Sequence, residues 1–447
     1  MKKTKKKTTL SRRQFLTQGS IAFAGITILP RSVFGANERL NIAFVGAGRK
    51  GNHAIRSLGG RVNIFAFADV NTQIIEPTLE MYPDVPLYTD FREMLDKHGR
   101  EIDGVVVSTP DHFHHYSTKY CMEKGIPVYV EKPMCHRIMD CRDLAAAEKE
   151  YGVACQMGNQ HHSSSNGAYY AREIYKAGLL GEVSEVHCWD TGPTRSQPDE
   201  IPTEMAVPDH IHWDTWLGPS PFYHYNNVYF YAGNWRCFNM FGAGGIGDMG
   251  PHTFNMAVYM LDLDWPSEIR VVSDKSYRYS YPPEGFEVAY TFPATDQRGP
   301  VTLRFFCGDH EPPRPDNLGP EQATVEGRGG SILYGSRNSV ITDSHNRRTV
   351  IFPEANRRAM IEELRKHTVH LRGNHYGNWL DAIKGEAECR SNFEYGSRLT
   401  QIVLLGAIAA QLNRTLKLDP VTRTIVGDEE ASNLMMRPPT RNGWNDV

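Results

Sequence analysis

Asp248 and His252 stand four residues apart in the glycine-rich stretch GIGDMGPHTFN, Gly245 to Asn255. On a helix that spacing stacks two side chains on one face. A histidine near its ordinary pKa can take a proton at working pH, and a carboxylate one turn earlier can orient it or stabilise its charge. The plainer reading is that Asp248 caps a helix start, with Pro251 tolerated in the first turn. The choice turns on whether the chain supplies something for the pair to act on.

An apolar run at Ile42–Val45 leads into GAGRKG, in which Gly46, Gly48 and Gly51 complete G-x-G-x-x-G around Ala47, Arg49 and Lys50. The first glycine permits the tight turn, the second lets the backbone approach a pyrophosphate, and the third lets the following helix pack on the strand. The helix start then offers free N–H groups to the phosphates. A second strand, VNIFAFADVN, ends in Asp69, 23 residues after Gly46, near the spacing of a ribose-binding acid. Its carboxylate accepts from ribose hydroxyls and repels a 2′-phosphate, and neither Val70 nor Asn71 could neutralise one. The cofactor expected is therefore NAD rather than NADP. Two more apolar runs, IDGVVVSTP and IPVYVEKP, flank a helical HFHHYSTKYCMEKG, which argues for a doubly wound parallel sheet. Ser108, Thr109 and Pro110 then fall at its carboxyl edge, where ligands bind.

The 447 residues are too many for one ordinary core. From about residue 160 the pattern changes to short runs separated by turns: EVSEVHCWD, EIRVVSD, FEVAYTF, VTLRFF, GSILYG and SVITD. These predict an α+β second domain with a mostly antiparallel sheet, closed by an apolar helix from about Arg398 to Leu412. The divisions expected are 1–36, 37–158 and 159–447. Residues 1–36 hold eight basic side chains and no acid, leaving a formal −11 on the rest against −3 overall. So acidic a remainder excludes nucleic acid as a natural partner. The leader pairs Arg12 and Arg13 with a short apolar run and the small-residue end SVFGA, the pattern of a removable export signal. SRRQFL resembles the twin-arginine signal, whose machinery carries folded proteins. Export beyond the inner membrane with NAD already tightly bound is the expectation. The eight cysteines include no C-x-x-C and read as small buried hydrophobes.

With the glycine loop, STPDHFHH, EKP and GDMGPH in this order, the chain resembles the Gfo/Idh/MocA oxidoreductases from about Leu40 onward. HWDTWLGPSPF, NWRCF and NHYGNWLDAIKGE look like a secreted bacterial branch of that family. The resemblance implies a catalytic lysine at Lys132, an acid beside the nicotinamide ribose at Glu131, and His114 lining the cofactor cleft. Asp248 and His252 match its D-x-x-x-H pair. It further implies a carbohydrate substrate, a homo-oligomer, and Gln160 beside the cofactor. Family members often carry an acid three residues after the histidine, where this chain has Asn255.

Oxidation of a secondary alcohol needs a hydride acceptor, a base and positive charge beside the developing alkoxide. NAD, His252 and Lys132 are the respective candidates. Asn159, His161, Trp213 and Asn255 are candidate substrate contacts, although adjacent histidines such as His161 and His162 on a polar loop are ordinarily solvated. The aromatic segments HIHWDTW and YHYNNVYFYAGNW read equally as sugar platforms or as core. Two other readings compete. The H-x-H of HFHH could serve a metal-dependent hydrolase, although no metal site is expected, and the protein could bind sugars without catalysis.

Overall fold

In the computed structural model, residues 39–192, 199–272, 277–281, 285–319, 329–441 and 443–444 are described. The export signal expected at 1–36 lies outside them. The first sheet runs β3-β2-β1-β4-β5-β6, all parallel, with β1 Asn41–Val45, β2 Asn63–Ala68, β3 Leu87–Tyr88, β4 Gly104–Val107, β5 Val128–Glu131 and β6 Cys155–Gly158. The chain order reverses between β1 and β4, so the loops following these two strands open a crevice at their carboxyl ends. β1, β4 and β5 are buried along almost their whole length because helices cover both faces.

The second sheet has the order β13-β12-β11-β7-β10-β9-β8-β14-β15. Its strands are β7 Val183–Asp190, β8 Glu268–Val272, β9 Gly285–Phe292, β10 Val301–Gly308, β11 Gly329–Gly335, β12 Ser339–Asp343, β13 Thr349–Phe352, β14 Leu416–Asp419 and β15 Thr424–Val426. Only β10 with β7 pairs parallel; the other ladders are antiparallel. All six runs read as strands in the sequence form strands of this sheet.

The closing helix spans Phe393–Leu412, starting five residues before the apolar run suggested, because the Asn392 side chain caps it by accepting from the Tyr395 amide at 3.0 Å. It is apolar all round since it lies between β8 and β9, the helix Ile138–Tyr151 and the helix Gly244–Thr253. One element crosses the expected division. The helix His375–Ile383, far beyond residue 158, returns to the first sheet, where Tyr376, Trp379 and Leu380 join a core with Phe44, Val106 and Tyr129. All eight cysteines are free thiols, and seven of them are buried.

Candidate active site

The glycine loop takes the shape its spacing predicts. Gly46 sits at φ +84°, and a Cβ there would lie 2.8 Å from the Ser108 carbonyl oxygen. A Cβ on Gly51 would fall 1.9 Å from the Gly46 oxygen, so only glycine lets the helix Arg49–Leu58 approach β1. Ala47 is buried in that packing rather than exposed to the crevice, while Gly48, Arg49 and Lys50 line it. Asp69 does more than await a ribose. One carboxylate oxygen accepts from the Ala47 and Gly48 amides at 2.8 and 3.2 Å, and the other accepts from Asn71 at 3.0 Å. Burial pushes its carboxyl up and these amides oppose the shift. A carboxylate has about four acceptor positions, so roughly one remains for a hydroxyl.

Across the crevice, Ser108, Thr109 and Pro110 follow β4 and line the same cavity of about 510 Å³. The Ser108 and Thr109 hydroxyls are buried and find no partner among the described residues. A glycine cradle and two orphaned hydroxyls in one cavity fit a dinucleotide. His114 ties the two loops together, with Nδ1 2.8 Å from the Pro133 carbonyl and Nε2 2.9 Å from that of Thr109. Burial holds its pKa down to about 4, so the neutral ring donates to one carbonyl at a time. Glu131 is buried and raised by desolvation against the pull of Lys50 and Lys132. Gln160 stands behind it, donating to Glu131 at 2.9 Å and accepting from Lys50 at 3.1 Å.

Lys132, at the end of β5, donates to the Asp248 carboxylate at 2.6 Å and to the Asp248 carbonyl at 2.7 Å. Asp248 and His252 lie one turn apart on the helix Gly244–Thr253. Asp248 is in the second turn and Pro251 inside the helix, so neither fits the cap reading. Arg236 also reaches Asp248, 3.3 Å from the same oxygen, which makes the carboxylate a bridge between two cations. His252 is 8% exposed, and burial, Lys132 and His345 hold its pKa well below the usual imidazole value, with Asp248 opposing. The site therefore presents a neutral imidazole next to a paired ammonium.

The candidate substrate residues divide. His161 and His162 lie in the short helix His161–Ser164 rather than on a loop, His161 half-buried. His162 is buried against Tyr395, their rings stacked at 4.5 Å. His161 reaches the site, its ring 6.4 Å from that of His252. Asn159 and Asn255 are committed elsewhere. Asn255 accepts from Asn159 at 3.2 Å and from Tyr395 at 2.8 Å, and donates to Asn346 at 2.8 Å. Asn159 also accepts from Ser391 at 2.6 Å, so this buried network uses the amides the substrate would need. Trp213 packs against Trp216 and Tyr229 in a separate aromatic core, and the cavity wall is Trp216 instead. The HFHH rings diverge: His112 meets the Trp216 carbonyl, His114 the two loops, and His115 pairs with Asp143 at 2.6 Å.

Three further residues were not singled out by sequence reasoning. Arg236, within the quoted NWRCF, carried no spacing signal. His345 sits in an unremarkable turn far along the chain. Asp111 lines the cavity with one oxygen unpartnered, its carboxyl pushed up to about 7 by burial against Arg236 and Lys132. Its place in STPD was the only available hint.

Comparison with known proteins agrees with this fold. Residues 40–159 match the oxidoreductase family NAD-binding Rossmann fold, and residues 183–281 and 319–446 match that family's C-terminal alpha/beta domain. Inositol 2-dehydrogenase of Rhodococcus jostii is 25% identical over 178 residues, 40% of this chain and 48% of that protein. The rhizopine catabolism protein MocA of Rhizobium meliloti is 27% identical over 158 residues, 35% of this chain and 49% of its own length. Across such curated relatives the match spans between about a quarter and a half of their length. The WlbA dehydrogenase of Chromobacterium violaceum, solved with NADH and UDP-GlcNAcA, superposes with a TM-score of 0.60 at 16% identity, covering 86% of this chain and 97% of that one. Aldose-aldose oxidoreductase of Caulobacter crescentus gives 0.55 at 17% identity, covering 85% and 100%. These two share the fold. With an NAD-binding Rossmann domain, the lysine after β5 and the D-x-x-x-H helix in one crevice, the chain belongs to the Gfo/Idh/MocA oxidoreductase family.

Proposed function

We propose that this protein is an exported NAD-dependent oxidoreductase acting on a secondary hydroxyl of a sugar, glycoside or polyol. The observation that carries this reading is Lys132 held 2.6 Å from Asp248, with buried His252 one turn away, on the wall of the dinucleotide cavity. Inositol dehydrogenases among the relatives, and the sugar-linked names of the structural neighbours, support the substrate class.

Bound against the glycine loop, NAD supplies the hydride acceptor. The chain's own residues do the rest. Neutral His252 accepts the hydroxyl proton on a ring nitrogen, and the Lys132 ammonium offsets the negative charge that develops on the substrate oxygen. Asp248 keeps that ammonium in place from two directions, through its carboxylate and its carbonyl. Twin arginines at Arg12 and Arg13 support export in folded form, with NAD retained during passage. The metal-hydrolase alternative is not favoured, because the HFHH rings are separately tied.

The test pairs a sugar and polyol panel, read at the nicotinamide absorbance, with two variants. Lys132→Met and His252→Ala should each keep bound nucleotide and a native melting profile while turnover falls by about 10³-fold. Loss of nucleotide, or unfolding, in both variants would move these residues to a structural role. For export, residues 1–36 fused to a prefolded reporter should carry it across only where the twin-arginine machinery is intact.

A further inference from the structure

The turn from Asp343 to Arg347, at the end of β12, is held far more tightly than a surface turn requires. The Asp343 carboxylate accepts from the His345 and Arg347 amides at 3.0 and 2.9 Å, and the Ser344 amide donates to Gly329 at 2.8 Å. Asn346 is buried at φ +53°, in the left-handed region that asparagine enters more readily than other side-chain-bearing residues, and its surroundings hold it there. Those surroundings are the Ser165 hydroxyl, which donates to the Asn346 carbonyl, and the Asn255 amide, which donates to its side chain at 2.8 Å. Asn255 is three residues beyond His252, so the segment that carries the base also fixes this turn.

The outcome is a cluster of three imidazoles. The His345 ring lies 4.8 Å from that of His252 at 31°, and 4.3 Å from that of His161 at 86°. Lys132, Lys50 and Arg347 bear on this cluster as cations, Asp248 and Asp343 as anions. Desolvation and the cations hold all three rings below their ordinary pKa, His161 down to about 4. A neutral imidazole offers one donor and one acceptor and carries no charge to pair with an anion; His345 meets the Ser344 hydroxyl through Nδ1 at 2.7 Å, which leaves Nε2 for a substrate hydroxyl. Among the described residues no group has the arrangement of metal ligands.

We propose that His345, with His161, binds the hydroxyls flanking the one that His252 deprotonates, so that the substrate must carry adjacent free ring hydroxyls. This rests on the oxidoreductase reading above and adds a specificity residue to it. Asn255 acts here as the positioning residue for His345 through Asn346.

The test uses full-length mature protein with its nucleotide bound, and calorimetric titration with D-glucose, methyl β-D-glucopyranoside and myo-inositol, each beside its monodeoxy analogues. For the probe that binds, His345→Ala should weaken affinity by tenfold or more. It should leave unchanged the affinity for the one deoxy analogue that lacks the partner hydroxyl. His345→Gln, which keeps a donor and an acceptor, should recover most of the loss. Equal weakening towards parent and every analogue, no binding of any probe by the wild type, or stoichiometric metal lost on His345→Ala would each overturn the proposal. Selective binding without turnover of any sugar would sustain it while sinking the oxidoreductase reading.

Discussion

Asp248 is the residue on which the chemistry turns, because it balances Lys132 and Arg236 at once. Replacing it by asparagine leaves two cations close together with no anion between them, so their repulsion loosens an ammonium that only neutral oxygens then hold. Asp248→Asn is expected to lower kcat by about 10²-fold while nucleotide binding holds, read from steady-state rates beside a nucleotide titration. Asp69 gives a second residue-scale prediction. Its carboxylate both repels a 2′-phosphate and ties the Ala47 and Gly48 amides to the end of β2. Asp69→Ser should therefore move selectivity towards NADP yet weaken the binding of both nucleotides, measured by titrating each. A clean exchange of preference with no loss of NAD affinity would show that the loop does not depend on this carboxylate.

At the scale of elements, the aromatic block from Ile211 to Phe241 is docked on the cofactor edge of the first domain. The Thr72 amide donates to His210, the His212 amide to Val70 and the His112 amide to Phe241 at 3.1, 2.9 and 3.2 Å, and Arg441 secures the far side through Gly218. Trp216 from this block forms part of the cavity wall. Trp216→Ala should thus preserve the fold but speed nucleotide release by about tenfold or more, seen as less nucleotide surviving gel filtration. Little of this was legible beforehand. The strands and the glycine loop could be read because period and spacing are local properties, as in GVVV of β4 and GAGRKG. Asp248 and His252 could be set on one helix face from their spacing, and Lys132 is named only through the resemblance of EKP; the structure brings Lys132 to Asp248. His345 and the return of Trp379 to the first core could not be read, since they depend on partners about a hundred residues or more away, while Arg236 lies only 12 residues from Asp248 but in no spacing pattern that marks the contact. The aromatic segments looked alike as platform or core, and the structure divides them, with Trp213 inside and Trp216 on the wall. Asn255 was misjudged for the same reason: its partners Asn346 and Tyr395 are remote in sequence.

For the molecule as a whole, the buried titratable groups set a pH dependence whose sign can be worked out. Burial lowers His112, His114 and His162 to about 4 and His375 to about 3. Between those values and an unfolded pKa near 6.5, the unfolded chain binds more protons at these sites, so stability rises with pH. Their contribution is present above about pH 6.5 and is lost as pH falls towards 4. Two buried acids act the other way. Asp111 is raised to about 7 and Glu148 to about 8, so stability they provide at low pH is lost as pH climbs through those values. His136, His161 and His252 are lowered in the same sense and Asp69, Glu131 and Asp140 raised, so histidines still outnumber acids, the net slope is positive from about pH 4.5 to 6.5, and above about pH 7 only the acid arm remains. Melting temperatures should accordingly rise to a maximum near neutrality and then decline. Glu148, on the helix Ile138–Tyr151, accepts from the Phe393 amide at the start of the closing helix at 2.9 Å, and Glu148→Gln keeps that acceptor without the ionisation. This variant should flatten the decline above about pH 7 and steepen the rise between about pH 4.5 and 6.5, where the Glu148 ionisation otherwise offsets the histidines. Stability that falls from pH 4.5 to 6.5, or an alkaline decline as steep in Glu148→Gln as in the wild type, would show that these buried groups do not govern it.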